Sequence, residues 1–390
     1  MDIKSLDHQY VANTYNRFPV EIVSGKGSVV VDRDGKEYID LGTGIAVNAF
    51  GVADEAWQQA VIAQMGKFQH TSNLYYSEPC AVLAKMLCER TGMKKVFFSN
   101  SGAEANECAI KVARKYAAEK KGKDCYYILT LEHSFHGRTL TTLAATGQDE
   151  FHQDFQPLTP GFLHAKVNDL ADVKAKLDAY PVAGILIEIV QGEGGVIPLE
   201  ESFVKGIAAL CQERDILLMC DEVQIGNGRS GMLYGYMNFD VKPDVVSTAK
   251  GLCAGLPLGA TLLGEKVEYT LGYGDHGSTF GGNPICCAGA ISTLSRMDEA
   301  LLQDVRERSK KIVDTLTGKK GVKAVTGMGL LLGIDPVRPA GDVIAECMER
   351  GVLVLSAHGK VRLLPALNIP MDLLEKALDV LVDVLGKDVS

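Results

Sequence analysis

Between residues 94 and 264 the chain sets short apolar, β-rich runs one after another with helical patterns between them, and this alternation constrains the fold more than any other feature. The runs are KVFF (95–98), YYILTL (126–131), GILIEIV (184–190), ILLMCDEV (216–223), DVVSTA (244–249) and GATLLG (259–264). Strands apolar on both faces must be covered on both faces, which predicts an α/β fold with a mostly parallel central sheet wrapped by helices. Two of the covering helices are legible in their period. Ala105, Ala109, Ile110, Ala113, Tyr116 and Ala117 form one stripe across 103–118, and Phe203, Ile207, Leu210 and Cys211 form another across 202–214.

The flanking segments are built differently. GSVVVDRDGKEYIDLGTG (27–44) places two strand-like runs around Asp34-Gly35, the turn chemistry of a hairpin. After residue 284 the pattern predicts helices at about 285–317, 340–350 and 371–385 and a strand at GVLVLS (351–356). A chain of 390 residues exceeds the roughly 250–300 over which a single core grows. The expected division is therefore an N-terminal segment 1–48 packing with a small domain, a large domain 49–284, and a smaller α+β domain 285–390 completed by the N-terminal hairpin.

Charge and cysteine usage narrow the partners and the compartment. A net charge of -9 with no block of Lys or Arg argues against nucleic acid or an anionic membrane as the main partner. The ten cysteines, among them Cys80, Cys108, Cys220, Cys253, Cys286 and Cys287, form no CxxC and no Cys/His ligand spacing, which fits free thiols in a reducing cytoplasm. The N-terminus has no apolar signal core, and no run approaches the ~18 apolar residues of a membrane span.

Several polar groups stand where the predicted strands end. In FFSNSGAEANECAIKVAR (97–114) a turn of small residues opens a helix, leaving the N–H groups of Gly102, Ala103 and Glu104 free; this reads either as an ordinary helix capped by Ser101 or Asn100 or as a phosphate cradle. Asp221 and Glu222 close an apolar strand, where ligands of open parallel sheets bind and where an acid also caps turns. Gly226, Gly228 and Gly231 match GxGxxG, but no helical stripe follows and acids precede, so no dinucleotide site is expected. Phe135 offers an aromatic face or a packed ring, Arg138 a fork for a carboxylate or a surface charge, and Glu193 a counter-charge. His133 and His136 share a metal-like spacing without a third ligand nearby, so no metal is expected. Lys250 is a lone cation within VVSTAKGLCAGLPLGATLLG (245–264), where an unpaired ammonium is costly.

The order of these pieces, each at the end of a successive strand, is the parts list for pyridoxal phosphate. A lysine amine bonds the aldehyde, an aspartate keeps the pyridine nitrogen protonated, a helix N-terminus takes the phosphate, and desolvation lowers the lysine pKa so that it acts as nucleophile and base.

The chain also resembles the class III pyridoxal-phosphate aminotransferases of fold type I, whose large domain is aspartate aminotransferase-like. The resemblance runs through NTYNRFPV (13–20), NSGAEANECAIKVAR, FHGRTL, QGEGGV, DEVQIGNGRSG, STAKGL, HGSTFGGNP (276–284) and VRLLPALNI (361–369), in the family's order. It implies that Lys250 binds the cofactor aldehyde and serves as base, and that Asp221 pairs with the pyridinium nitrogen. It further implies that Gly102 and Ala103 hold phosphate, that Phe135 and Val223 sandwich the ring, and that Glu222 and Gln224 belong to the cofactor surroundings, with Gln224 near the phenolic oxygen. Thr279, from the other subunit of a homodimer, would complete the phosphate site, and Ser278 would border the substrate. Arg138 would hold the carboxylate of the amine donor and Arg362 the α-carboxylate of 2-oxoglutarate, with Glu193 masking Arg362 between half-reactions. The activity implied is transfer of the δ-amino group of N2-acetylornithine to 2-oxoglutarate, with another ω-amine (ornithine, succinylornithine or 4-aminobutyrate) as the alternative donor and an aminomutase, which needs no oxo-acid acceptor, as the remoter alternative. The chain departs from the family's usual pattern at Ile225, at EIV (188–190), at Cys253 and Ala254, and at NAFGVADEAW (48–57).

Overall fold

The computed structural model describes residues 2–388. Its central sheet has seven strands in the order Lys95–Ser99, Gly259–Leu263, Val245–Thr248, Leu217–Asp221, Val182–Ile187, Tyr127–Leu131, Phe162–Ala165. All run parallel except 259–263, which is antiparallel to both neighbours. Six of the seven strands follow the apolar runs of the sequence. The seventh, Phe162–Ala165, is a four-residue edge strand whose apolar signal is too short to stand out.

Alternation along the strands sorts side chains to two covered faces. Leu217, Met219 and Val245 join the cluster under the helix Gly102–Lys121, while Leu218, Cys220 and Val246 join the larger cluster on the opposite face. Burial of these faces, at about 25 cal/mol per Å2 of apolar area, is what holds helix to sheet. Because the strands are parallel, Ser99, Leu131, Ile187, Asp221 and Thr248 all end on one side, and the loops that follow them converge there.

The termini build two further sheets. The strands Ile22–Lys26, Val29–Asp32 and Glu37–Asp40 form the expected hairpin region, and Val352–Leu353 adds to it in parallel. A second sheet is antiparallel, in the order Val322–Met328, Leu331–Pro336, Lys360–Leu363, Leu355–Ala357. The run expected as one strand at 351–356 is thus divided at Val354: its first half pairs with Glu37–Asp40 and its second with Lys360–Leu363. The pattern at 285–317 is also divided, into helices Pro284–Ser295 and Glu299–Leu316, because the Asp298 side chain accepts from Leu301 N–H and starts the second helix. The first of these packs on the helices Glu55–Met65 and Glu78–Thr91, with Arg90 Nη1 donating to Leu294 O at 2.6 Å and Arg296 forking onto Asp54 at 2.7 and 3.0 Å. Among the described residues no helix is long and apolar enough to cross a membrane.

Candidate active site

The converging loops enclose a cavity of about 520 Å3 whose lining includes Gly102, Ala103, Phe135, Arg138, Asp221, Val223, Gln224 and Lys250. At its helical end Ser101 caps the helix, accepting from Glu104 N–H at 3.2 Å, while Glu104 turns back to Asn100 N–H at 2.9 Å. This capping leaves the N–H groups of Gly102 and Ala103 aimed outward from a helix N-terminus, the geometry that binds anions. Glycine suits position 102 because a Cβ would stand 2.6 Å from Val223 Cγ1. Gly137 serves the neighbouring turn, at φ +140° with a virtual Cβ 2.5 Å from Thr142 Oγ1.

Asp221 is buried and fully engaged. Its Oδ2 accepts from Asn106 Nδ2 at 2.7 Å and lies 2.8 Å from His136 Nδ1, and its Oδ1 accepts from Val223 N–H at 3.0 Å. Asn106 is itself oriented by Ser247, whose hydroxyl donates to its Oδ1. His136 keeps Nε2 buried and, among the described residues, unpartnered. Sequence reasoning reached Asp221 but missed Asn106, and considered His136 only as part of a metal pair. Asn106 lies on the buried stripe of the 102–121 helix beside Ala105 and Ala109, and an amide at such a position was the available signal.

Glu222 corrects an expectation. Successive strand residues point to opposite faces, so Glu222 turns away from Asp221 and accepts from Gly235 N–H at 2.7 Å and Tyr236 N–H at 2.9 Å on the far side of the sheet. Burial pushes its carboxyl up to about 8, and it does not line the cavity. Its partners make it a support for the 235–239 turn instead of a cofactor contact. Ile225 is likewise buried, against Gly235, and stays out of the cavity lining.

Lys250 lies half-buried at the cavity, its amine makes no hydrogen bond among the described residues, and it sits at φ +47°, a strained conformation for a residue with a Cβ. Desolvation lowers its pKa, opposed by the negative charges of Glu193, Asp221 and Glu188. Glu188 is a second acid that the sequence hid inside GILIEIV. Burial, and then the charge of Asp221, push its carboxyl well above the usual range while it accepts from Phe135 N–H at 2.8 Å.

Two arginines face this site in different states. Arg362 is buried and latched: Nη1 donates to Glu193 Oε1 at 2.8 Å, Gln224 Oε1 at 3.0 Å and Gly192 O at 3.1 Å, and Nη2 donates to Glu193 Oε2 at 3.3 Å. Burial alone would raise the Glu193 carboxyl, but the Arg362 guanidinium overrides it and holds the group below its usual value. Gln224 ties the pair to the cavity, donating to Glu193 Oε1 at 3.2 Å. Arg138 lines the cavity with no hydrogen bond or ion pair of its own among the described residues.

Ser278 and Thr279 lie apart from the rest. Asn100 Nδ2 donates to Ser278 Oγ at 3.1 Å, which places that serine beside the phosphate-cradle turn, whereas Thr279 is exposed and outside the cavity of its own chain.

The arrangement fits pyridoxal phosphate: an anion cradle, a buried carboxylate held in one orientation, an unbonded desolvated amine, and Phe135 and Val223 as apolar lining. Comparison with known proteins agrees. A sequence profile of the family Aminotransferase class-III matches residues 10–385. The acetylornithine aminotransferase of Haemophilus ducreyi is 48% identical over 387 residues, covering 99% of this chain and 98% of that protein. The succinylornithine transaminase of Salmonella paratyphi A is 42% identical over 381 residues, covering 95% and 93%. Among solved structures, the ornithine aminotransferase of Toxoplasma gondii, crystallised in the presence of oxidised glutathione with partial occupancy of PLP at its active site, superposes with a TM-score of 0.94 at 30% identity over 98% of this chain and 94% of that one.

Proposed function

The chain belongs to the class-III aminotransferases, and on that premise we propose that it moves the δ-amino group of N2-acetylornithine to 2-oxoglutarate, giving N-acetylglutamate 5-semialdehyde and glutamate. Pyridoxal 5'-phosphate, the family's cofactor, supplies an aldehyde that accepts an amine and a ring that takes up the electrons released when a neighbouring C–H bond breaks. The protein's own groups do the rest. Gly102 and Ala103 would hold the phosphate through N–H groups, Phe135 and Val223 would enclose the ring, and Asp221 would keep a proton on its nitrogen. Lys250 Nζ, already short of water, would bind the aldehyde at rest and carry the proton between carbons once the donor amine displaces it.

The observation that carries the donor assignment is the contrast between the arginines. Arg138 is open for the donor's α-carboxylate, while the Glu193 latch neutralises Arg362, so the site accepts a substrate with one carboxylate near the first arginine and an uncharged far end. For 2-oxoglutarate the latch must open: Glu193 would leave, and Arg362 would take the second carboxylate. The 48% identity to an acetylornithine aminotransferase supports the same donor, and the 42% identity to a succinylornithine transaminase keeps that donor as the second reading.

A donor panel tests this. Acetylornithine, succinylornithine, ornithine and 4-aminobutyrate are each assayed for glutamate formed from 2-oxoglutarate, and acetylornithine should give the highest kcat/KM. A higher value for another donor transfers the assignment to it, and sustained turnover without 2-oxoglutarate would overturn transamination in favour of an aminomutase. In the same panel Arg138→Ala should raise the donor KM by about 10- to 150-fold, the equivalent of the ~1.5–3 kcal/mol of a charged hydrogen bond, with cofactor retention unchanged. An unaltered KM for every carboxylate-bearing donor removes Arg138 from that role.

A homodimer with shared sites and a cytoplasmic location belong to the same reading. Leu74, Tyr75, Tyr76 and Phe280 are exposed, and Asn73 joins their two segments by donating to Ser278 O and Gly281 O, both at 2.9 Å. An apolar surface of this kind suits a second copy of the chain, which would bring Thr279 to the partner's phosphate cradle. All ten cysteines are unpaired, as a reducing compartment favours. For the domains, we retain the N-terminal segment 1–48 with the small domain but draw the small-domain boundary after the helix Pro284–Ser295, since that helix packs on the large domain.

A further inference from the structure

We propose that Phe151 is a positioning residue that holds the Arg138 guanidinium ready for a substrate carboxylate; this rests on the reading of Arg138 given above. An arginine side chain is long and loses much rotamer freedom when fixed, and it is ordinarily fixed by an acid or by carbonyl oxygens. Arg138 has neither. What it has are two rings: its Cζ lies 4.0 Å from the ring centroid of Phe151 and 5.3 Å from that of Phe135. The rings themselves meet edge to face, with centroids 6.1 Å apart and planes at 81°.

An aromatic face attracts a cation through its quadrupole and leaves the N–H groups at the edge of the guanidinium plane unoccupied. A carboxylate in the same place would compete with the substrate for those donors, as Glu193 does at Arg362. Stacking therefore restricts the arginine without blocking it, which is what a site for a carboxylate ligand needs. Phe135 also lines the cavity where the cofactor ring is expected, so its replacement would disturb two functions together. Phe151 does not line the cavity, and its share can be isolated.

The support under Phe151 is firm. Phe151 is half-buried and ends the short turn Asp149–Phe151, with its N–H donating to Gln148 O at 3.1 Å. The Gln148 side chain is held from two sides, by Ser134 O at 2.9 Å and by His358 Nε2 at 2.8 Å. His358 occupies the turn that precedes the strand Lys360–Leu363, the strand that carries Arg362. One hairpin thus braces the shelf under the open arginine and presents the latched one.

The test uses the holoenzyme with Phe151→Leu, Phe151→Tyr, Arg138→Ala and the double variant Arg138→Ala/Phe151→Leu. Phe151→Leu should raise the KM for the carboxylate-bearing donor by about threefold to tenfold, leave kcat within about twofold, and leave cofactor absorbance unchanged. Phe151→Tyr keeps the aromatic face and should restore the wild-type KM. In the Arg138→Ala background the leucine substitution should add nothing. The proposal is overturned if Arg138→Ala raises KM while Phe151→Leu does not, if tyrosine fails to rescue, or if the leucine substitution costs the same factor with Arg138 absent. An Arg138→Ala enzyme with unchanged KM is a different failure, of the carboxylate assignment itself.

Discussion

Replacement of Lys250 by alanine is expected to lower transamination by at least about 10²–10⁴-fold, the usual contribution of a positioned proton carrier, while the protein stays folded. The size of the effect follows from how alone this amine is. It lines the cavity without a hydrogen bond among the described residues, burial lowers its pKa, and its backbone is strained at φ +47°. In the cofactor-free protein alanine removes an amine that the fold spends energy to desolvate, so its melting temperature should hold or rise slightly. Glutamate production and thermal unfolding of the cofactor-free protein measure the two halves of the claim, and a small free amine such as methylamine should restore part of the activity. A variant with wild-type turnover would remove Lys250 from the reaction.

The second large effect is expected for Asp221→Asn, which keeps shape but discards charge. Activity should fall by about 10²–10³-fold, the range for losing one preorganised electrostatic partner. Stability should fall as well, by about 1–3 kcal/mol, because the new amide cannot satisfy all the donors now aimed at the carboxylate. Asn106 Nδ2 cannot simply turn round, since its Oδ1 already accepts from Ser247, and Val223 N–H is fixed in the backbone. Thermal unfolding with and without cofactor, beside kcat/KM, separates the two consequences. A loss below tenfold would show that the ring nitrogen does not depend on this carboxylate.

What could be read in advance, and what could not, divides along physical lines at particular residues. Lys250 was legible because a charge inside an apolar run is costly, and Gly102 because a small residue between a strand and a helix leaves N–H groups free. Glu188 carries the same signal as Lys250, yet in the sequence it stood out only within EIV, as a departure from the family's pattern. Asp221 and Glu222 are adjacent and chemically alike, and only the strand's alternation separates a cavity carboxylate from one that braces a distant turn. Asn106 and His136 meet at Asp221 across 115 and 85 residues of chain, contacts that no local pattern encodes.

By itself the sequence determined the layered α/β architecture, the family, and the residue types gathered at the strand ends, because burial and backbone hydrogen bonding act through local period and composition. Only the tertiary structure decided which groups are occupied and which are free. Arg362 and Arg138 look equivalent as letters, yet one spends its donors on Glu193, Gln224 and Gly192 and the other rests on Phe151 with its donors open. The reason is that a hydrogen bond or a stacked ring depends on distances of a few ångströms between segments far apart in the chain, and those distances exist only once the sheet has brought its loops together.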